Sequence, residues 1–260
     1  SQTICVGCDP VAFTIYVSAS ADGTITYQWQ NSTDAGANWS NIIGATSATY
    51  DEGTLTADAQ YRRLVISTLN SVACTAVSNN TVTVTVNNLT AGSITGDQTV
   101  CPNTSVTTFG STAATGDGGI TYQWQNSTDG GTSWSNIGSA TSATYTSPNL
   151  LADAQYRRIA TSTLNTVACT AVSNTLTVTV NNLDAGSIAG DQTICAGADA
   201  AEFGSVAATG DGTITYQWEQ NTSYPGGPTW ADVVGATSAT FDAGVQHADV
   251  QYRRIAISTL

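Results

Sequence analysis

The 260-residue chain has no lysine and no methionine, a single histidine, and only 10% charged residues, where an ordinary soluble domain has about 25%. Its six cations are all arginines, set against 19 acidic residues, for a net charge of -13. A field of that sign repels phosphate backbones and anionic lipid surfaces, so nucleic acid is excluded as a partner. No apolar run reaches the about 18 residues of a membrane-spanning helix. The solvated surface has to be built from Thr, Ser, Asn, Gln and Gly. His247 has no Ser or Cys that recurs beside it, which removes the usual general base. No catalytic residue is assigned and the chain reads as a non-enzyme.

What is present is repetition. Tyr27-Gln28-Trp29-Gln30 returns as Tyr122-Gln123-Trp124-Gln125 and as Tyr216-Gln217-Trp218-Glu219. Ala59-Gln60-Tyr61-Arg62-Arg63 returns at 154–158 and, with Val for Ala, at 250–254. A period of about 95 residues marks an array of small domains. The expected division is 1–90, cut at its leading edge, 91–184, complete, and 185–260, cut at its trailing edge. An enzyme gains little from near-copies of one site, whereas a stalk gains reach with each copy.

Within a copy, runs such as Thr81-Val82-Thr83-Val84-Thr85-Val86 alternate hydroxyl and apolar side chains with the period of a half-buried strand. Such runs recur between Gly, Asn, Asp and Ser clusters, which predicts an all-β fold of tandem immunoglobulin-like sandwiches. Trp29, Trp124 and Trp218 are expected mid-strand in the core. Tyr61, Tyr156 and Tyr252 are expected at a corner where the hydroxyl ties back to upstream backbone. Two residues after each Tyr, where immunoglobulin domains often carry Cys, stand Arg63, Arg158 and Arg254. The joints Asn87-Asn88-Leu89 and Asn181-Asn182-Leu183 are too short for flexible linkers, so an extended, stiff rod is expected.

Cys5 and Cys74 lie 69 residues apart, Cys101 and Cys169 lie 68 apart, and their flanks match. One bridge per module, from the first strand to the hairpin before the last, is the economical reading. Cys8 and Cys195 are left unpaired. The spacings do not suit zinc, and Cys5-Val6-Gly7-Cys8 occurs once only, a weak match to a redox pair. Bridges of this type place the chain outside the cytosol.

The doubled arginines Arg62, Arg63, Arg157, Arg158, Arg253 and Arg254 alternate faces along a strand. One of each pair is expected to reach a carboxylate, with Asp58, Asp153 and Asp249 as candidates, and a carboxylated or sulfated glycan is the competing ligand. Ser127-Thr128-Asp129-Gly130-Gly131-Thr132-Ser133-Trp134 fits the Asp-box pattern, complete in the second copy alone, and reads as a hairpin turn closed by Trp. The third copy replaces it with residues 221–230, Pro228 included. Trp39, Trp134 and Trp230 are expected to cover the sandwich edge, the alternative being a sugar platform. No cofactor is expected. Asp117 and Asp211 are the candidate calcium ligands, without the D-x-D spacing a calcium loop uses.

The string Tyr122 to Gly131, with Ala140-Thr141-Ser142-Ala143-Thr144-Tyr145, Tyr156-Arg157-Arg158 and Val167-Ala168-Cys169-Thr170-Ala171-Val172-Ser173-Asn174, resembles the repeats of giant surface adhesins of gliding Bacteroidota, of the SprB type. The resemblance implies export by the type IX secretion system, display as a filament on the outer cell surface, and movement by a gliding motor. The partners it implies are neighbouring repeats, an external surface or polysaccharide, and gliding machinery reached through regions outside this sequence. It also argues against glycosylation at Asn31 and Asn126. A glycan-binding module array attached to a secreted polysaccharide-degrading enzyme is the rival reading.

Overall fold

The computed structural model describes residues 1–14, 18–227 and 229–260, so Pro228 of the third hairpin lies outside the described residues. The first module contains β1 (Gln2–Cys5), β2 (Thr24–Ser32), β3 (Ser40–Asn41), β4 (Ala59–Leu69), β5 (Val72–Val77) and β6 (Val82–Asn87). They make one sheet in the order β1-β6-β4-β2-β3, and β5 pairs with the far half of β4. β1 runs parallel to β6, from Gln2 opposite Val84 to Cys5 opposite Asn87, and the other pairings are antiparallel.

The second module follows with β7 (Leu89–Thr90), β8 (Ile94–Thr95), β9 (Gln98–Val100), β10 (Gly110–Ser111), β11 (Thr115–Gly116), β12 (Gly119–Ser127), β13 (Ser135–Asn136), β14 (Ala154–Leu164), β15 (Val167–Val172) and β16 (Leu176–Val180). Its main sheet repeats the first, β13-β12-β14-β16-β9 with β15 on β14, and β9 is again parallel to β16. The facing layer is made of short pieces: β8 with β10, β7 with β11, and a bridge between Phe109 and Tyr145. The third module holds β17 (Leu183–Asp184), β18 (Ser187–Ala189), β19 (Ala198–Asp199), β20 (Gly204–Val206), β21 (Thr209–Gly210), β22 (Thr213–Asn221), β23 (Ala231–Asp232), β24 (Val245–Gln246) and β25 (Gln251–Thr259). Its main sheet is β23-β22-β25. The architecture is all-β, in tandem immunoglobulin-like sandwiches.

Alternation decides which face is buried. Along β16 the pattern is strictly buried, half-buried, buried, so Leu176, Val178 and Val180 enter the core while the intervening threonines face outward. Trp29, Trp124 and Trp218 are buried, as expected, and each indole Nε1 donates to a backbone carbonyl: Ser47, Ser142 and Ser238, at 2.9–3.0 Å. Sequence reasoning missed the rest of the aromatic cluster. Phe109 lies 5.9 Å from Trp124 and 5.0 Å from Tyr156 between ring centroids, and Tyr145 closes the group at 5.6 Å from Trp124. Phe13 with Tyr50 and Phe203 with Phe241 repeat the arrangement around Trp29 and Trp218. Tilted or stacked rings at these separations add about 0.5–1.5 kcal/mol per pair beyond area burial.

The tyrosine corner differs from expectation in its acceptor. The Tyr156 hydroxyl meets Ser147 Oγ at 2.6 Å and the Tyr252 hydroxyl donates to Gln246 Oε1 at 3.2 Å. These partners are upstream, but they are side chains rather than backbone. Tyr61 and Tyr156 are buried, whereas Tyr252 is half-buried.

Candidate functional site at the module joint

Asn88 alone separates β6 from β7, so the last strand of one module runs almost directly into the next. Asn87 is wholly buried at this junction. Its amide Nδ2 donates to the carbonyls of Ser162 at 2.9 Å and Val167 at 3.2 Å, and Ser162 Oγ donates back to Asn87 Oδ1 at 2.7 Å. Ser162 Oγ in turn accepts from Gly118 N at 3.0 Å. A Cβ on Gly118 would sit 2.3 Å from Thr163 O, so the close approach requires glycine. The second joint reproduces the node. Asn181 Nδ2 donates to Ser258 O at 3.0 Å, Ser258 Oγ donates to Asn181 Oδ1 at 2.7 Å, and Gly212 N donates to Ser258 Oγ at 3.1 Å.

A carboxylate braces each joint from outside. Asp117 Oδ2 accepts from Asn88 N and Asn88 Nδ2, both at 2.9 Å, and Asp211 does the same for Asn182. These bonds favour the ionised form, so both carboxyls sit below the usual range. The two residues considered as calcium ligands thus hold the inter-module turn, and no cluster of three or more His, Cys, Asp or Glu side chains suited to a metal occurs among the described residues.

The disulfide crosses the same joint. Cys5 of the first module is bonded to Cys169 of the second, with 5.6 Å between Cα atoms, while Cys74 and Cys101, like Cys8 and Cys195, carry exposed free thiols. This corrects the expected Cys5–Cys74 and Cys101–Cys169 pairings. The bridge does join a first strand to a hairpin, but the hairpin belongs to the neighbouring module. Cys5 lies beside Asn87 at the end of β6. β4 runs antiparallel to β6 and carries Ser67, the partner of Cys74, well past Val82 at the start of β6. Cys5 and Cys74 are therefore about 35 Å apart along the strands, at about 3.3 Å per residue, far beyond the about 7 Å between Cα atoms that a bridge tolerates. The β14–β15 hairpin instead reaches back over the first module, where Asn165 Nδ2 donates to Thr3 Oγ1 at 3.1 Å. Its turn places Asn165 and Thr166 at φ 46° and 70°, the left-handed pair of a tight two-residue hairpin.

The arginine pairs divide by face. Arg158 is wholly buried, and its two terminal nitrogens donate to Ser111 Oγ at 2.8 Å and to the carbonyls of Ala143, Thr112 and Ala91 at 2.6, 2.8 and 3.2 Å. The guanidinium lies over Tyr122 at 4.3 Å. Burial pushes its pKa down. Arg254 repeats this cage with Ser205, Ala239, Ala185 and Val206, and Arg63 donates to Ala48 O and lies over Tyr27 at 4.4 Å. The inner arginines thus pair with carbonyls and aromatic faces, not with Asp58, Asp153 or Asp249. Asp58 and Asp153 instead accept from the backbone of Val86 and Val180, each at 2.7 Å. A guanidinium fits this role because its flat fork reaches several carbonyls at once.

The outer arginines face the hairpin tryptophans. Arg62 and Arg157 donate from Nε to Gln30 and Gln125 at 2.7 Å, and they stack on Trp39 at 4.3 Å and Trp134 at 4.2 Å. Where the third module has Glu219 in place of Gln, Arg253 forms an ion pair with it and stacks on Trp230 at 4.4 Å. One face of each indole is therefore taken by a cation of the same sheet. The adjoining turn is tied by Asp129, whose carboxylate accepts from Ser127 Oγ at 2.7 Å, from Ser133 N at 2.9 Å and from the Ser133 hydroxyl. Those bonds hold Asp129 at about 2, and equivalent ones from Asn38 and Ser32 hold Asp34 at about 2.

Residues 1–88, 90–182 and 184–259 each match the family described as a domain of unknown function, DUF8696. No curated protein matches the chain. Among solved structures, the four amino-terminal Ig domains of Dscam1 isoform 7.44 share 14% identity at a TM-score of 0.32, covering 69% of this chain and 43% of that one. The amino-terminal eight Ig domains of Down Syndrome Cell Adhesion Molecule isoform 1.30.30 share 14% at 0.30, covering 84% and 31%. Four domains of Dscam1 isoform 9.44, with zinc, share 11% at 0.29, covering 85% and 59%. The chain thus spans less than two thirds of each, and the fold rests on its own sheet order. With three matches that together take in nearly all of its residues, the chain belongs to the DUF8696 family and carries that domain three times over.

Proposed function

We propose that the chain is a non-catalytic, load-bearing stalk segment of a secreted cell-surface adhesin filament, of the kind that gliding Bacteroidota display through type IX secretion. The observation that carries this reading is the bridge from Cys5 to Cys169, which staples one module to the next in addition to the main chain. Tension entering ahead of Cys5 passes through the sulfurs to Cys169 and bypasses the intervening chain, a sequence separation of 164. That segment, about 550 Å long if fully drawn out, stays closed even when the sandwiches inside it unfold. Such a bridge persists only in an oxidising compartment, which supports an extracellular location. The polar, cation-poor surface suits a stiff spacer between an anchor and a gripping end, with neighbouring repeats as its permanent partners.

The test is single-molecule extension of the chain tethered at both ends. Under oxidising conditions the released length should fall short of that in reductant by about 550 Å. Equal lengths in both states would remove the mechanical argument. A glycan array on the same protein decides against the stalk if it shows specific binding to one polysaccharide at millimolar affinity or better, which is the behaviour of an accessory module of a polysaccharide-degrading enzyme.

A further inference from the structure

The bridge between the first two modules has a free thiol three residues from one of its sulfurs. Cys5, Val6, Gly7 and Cys8 make a tight turn in which Cys8 N donates to Cys5 O at 3.0 Å and Gly7 takes φ 75°. Positive φ at the third residue marks a type II turn, whose end Cα atoms lie under about 7 Å apart. That span overlaps the about 4.4–6.8 Å that a disulfide bridges. The turn belongs to the fold and does not depend on its cysteines. Cys101 to Thr104 and Cys195 to Ala198 close with the same bond, at 3.2 and 2.9 Å, and Asn103 and Gly197 take φ 58° and 83°. It is also clamped from outside, since Gly7 N donates to Leu55 O at 2.7 Å and Leu55 N to Cys8 O at 3.0 Å. In the second copy Thr104 Oγ1 donates to Cys101 O at 2.7 Å, so a γ atom at this position reaches back to the residue that opens the turn. The first copy alone puts sulfur there.

The two sides of the bridge are unequally accessible. Cys169 is 5% exposed and Cys5 is half-buried, while Cys8 is exposed. A nucleophile is therefore directed to the Cys5 sulfur, with Cys169 as the leaving group. Cys74, about 35 Å from Cys5 along the strands, is out of reach within the folded module.

We infer that Cys8 is the resolving thiol of the Cys5–Cys169 staple and releases it under sustained load without a reductant. The Cys8 thiolate attacks Cys5 Sγ, the Cys5–Cys8 bond forms as the Cys5–Cys169 bond breaks, and Cys169 leaves as a thiolate that takes up the proton Cys8 gave up. One disulfide is present before and after, so no oxidant or reductant enters. At rest the contacts of the joint keep Cys169 against Cys5: the buried Asn87–Ser162 pair and the bond from Asn165 to Thr3. Tension along the bridge stretches the bond that breaks and draws Cys169 away once it has left, so load drives the exchange forward. The inference rests on the load-bearing reading of the bridge and sets a limit to the load that the first joint holds.

The test is extension of the whole 260-residue chain, tethered at both ends, in buffer without added thiol. A rapid ramp reads the staple, and a held force reads the exchange. Under a held force the chain should lengthen in a late step by most of the about 550 Å kept behind the bridge. Cys8→Ser should make that step rarer by on the order of tenfold or more, because it removes a thiol tethered beside its target. The same variant should keep the full shortfall in a rapid ramp, since Thr104 and Ala198 close the turn without sulfur. Cys74→Ser and Cys195→Ser should keep the late step. Late steps as frequent in Cys8→Ser as in the unsubstituted chain would overturn the inference and leave the staple standing. A late step lost with Cys74→Ser or Cys195→Ser would assign the attack to another thiol and overturn it too. A ramp that shows no shortfall in either chain would remove the load-bearing reading and this inference together.

Discussion

Asn87 and Ser162 belong to different modules and exchange two hydrogen bonds, Ser162 Oγ to Asn87 Oδ1 at 2.7 Å and Asn87 Nδ2 to Ser162 O at 2.9 Å. Both are buried, so the pair reads out the joint itself. Removing one partner of a buried amide pair leaves the other unsatisfied, at about 1–3 kcal/mol. Asn87→Ala should therefore destabilise the first joint by about 2 kcal/mol, seen as a lower denaturation midpoint. Asn88→Ala, which loses bonds exposed to water, should cost clearly less. Equal losses for the two would mean that the buried node does not hold the joint.

The bridge makes a sharper prediction because four cysteines have similar contexts. Closing a loop of 164 residues stabilises by about 5 kcal/mol in the chain-entropy relation. Cys5→Ser and Cys169→Ser should each remove that stabilisation, and the double variant should remove no more. Cys74→Ser should leave thermal unfolding unchanged. A matching loss in Cys74→Ser, or a peptide map joining Cys5 to Cys74, would overturn the inter-module assignment.

The sequence made the strands legible and left the partner of Cys5 ambiguous for a definite reason. In a chain of period about 95, Cys5 and Cys74 have equivalents in Cys101 and Cys169 of the next copy, and spacing alone cannot say which equivalent is near. The matching separations of 69 and 68 residues, one apart, therefore carry no information about pairing. Strand direction carries it: β1 parallel to β6, and β4 antiparallel to both, put Cys5 and Cys74 at opposite ends of one module. The buried tryptophans were legible because a mid-strand Trp in an alternating pattern has little choice of face. Phe13, Phe109 and Phe203 were not, since each lies in an irregular stretch without periodicity. Charge alone suggests a carboxylate for one arginine of each pair, which among the described residues only Arg253 meets, with Glu219. Arg158 is surrounded by carbonyls that no sequence pattern marks, and Ala91, Thr112 and Ala143 became its partners only through the turns that present them.

Arg158 and Arg157 are neighbours with opposite expectations. Lysine in place of Arg158 keeps the charge but cannot reach Ser111, Ala91, Thr112 and Ala143 together. Arg158→Lys should destabilise the second module by about 3 kcal/mol, the lower end for breaking a buried charged network. Arg157→Lys, which loses one bond to Gln125 and part of a stack on Trp134 at the surface, should cost under about 1 kcal/mol. Urea denaturation of both variants checks the contrast. Similar losses would show that the carbonyl cage contributes little.

Acid should loosen the hairpin turns in a pattern that the repeat itself controls. Asp34 and Asp129 sit at about 2 in the folded chain, below the 3.8 of a free carboxyl, chiefly through bonds from Asn38 and Ser133 respectively. The folded turn thus holds fewer protons than the unfolded one, so its contribution is complete above about pH 4–5 and is lost as pH falls through about 2. Both carboxylates are exposed, and salt should weaken the effect. The third module has Asn221 at the start of this turn, accepting from Ser223 N at 3.1 Å and Thr229 N at 3.3 Å, and no carboxylate in that role. The indole protons of Trp39 and Trp134, which donate to Gly36 and Gly131 beside the aspartates, provide the probe. Their NMR resonances should move between pH 4 and about 2, each with the aspartate of its own turn. Asp129→Asn should abolish the movement at Trp134 and spare Trp39. A Trp134 shift that survives Asp129→Asn would show that acid acts elsewhere in the sandwich.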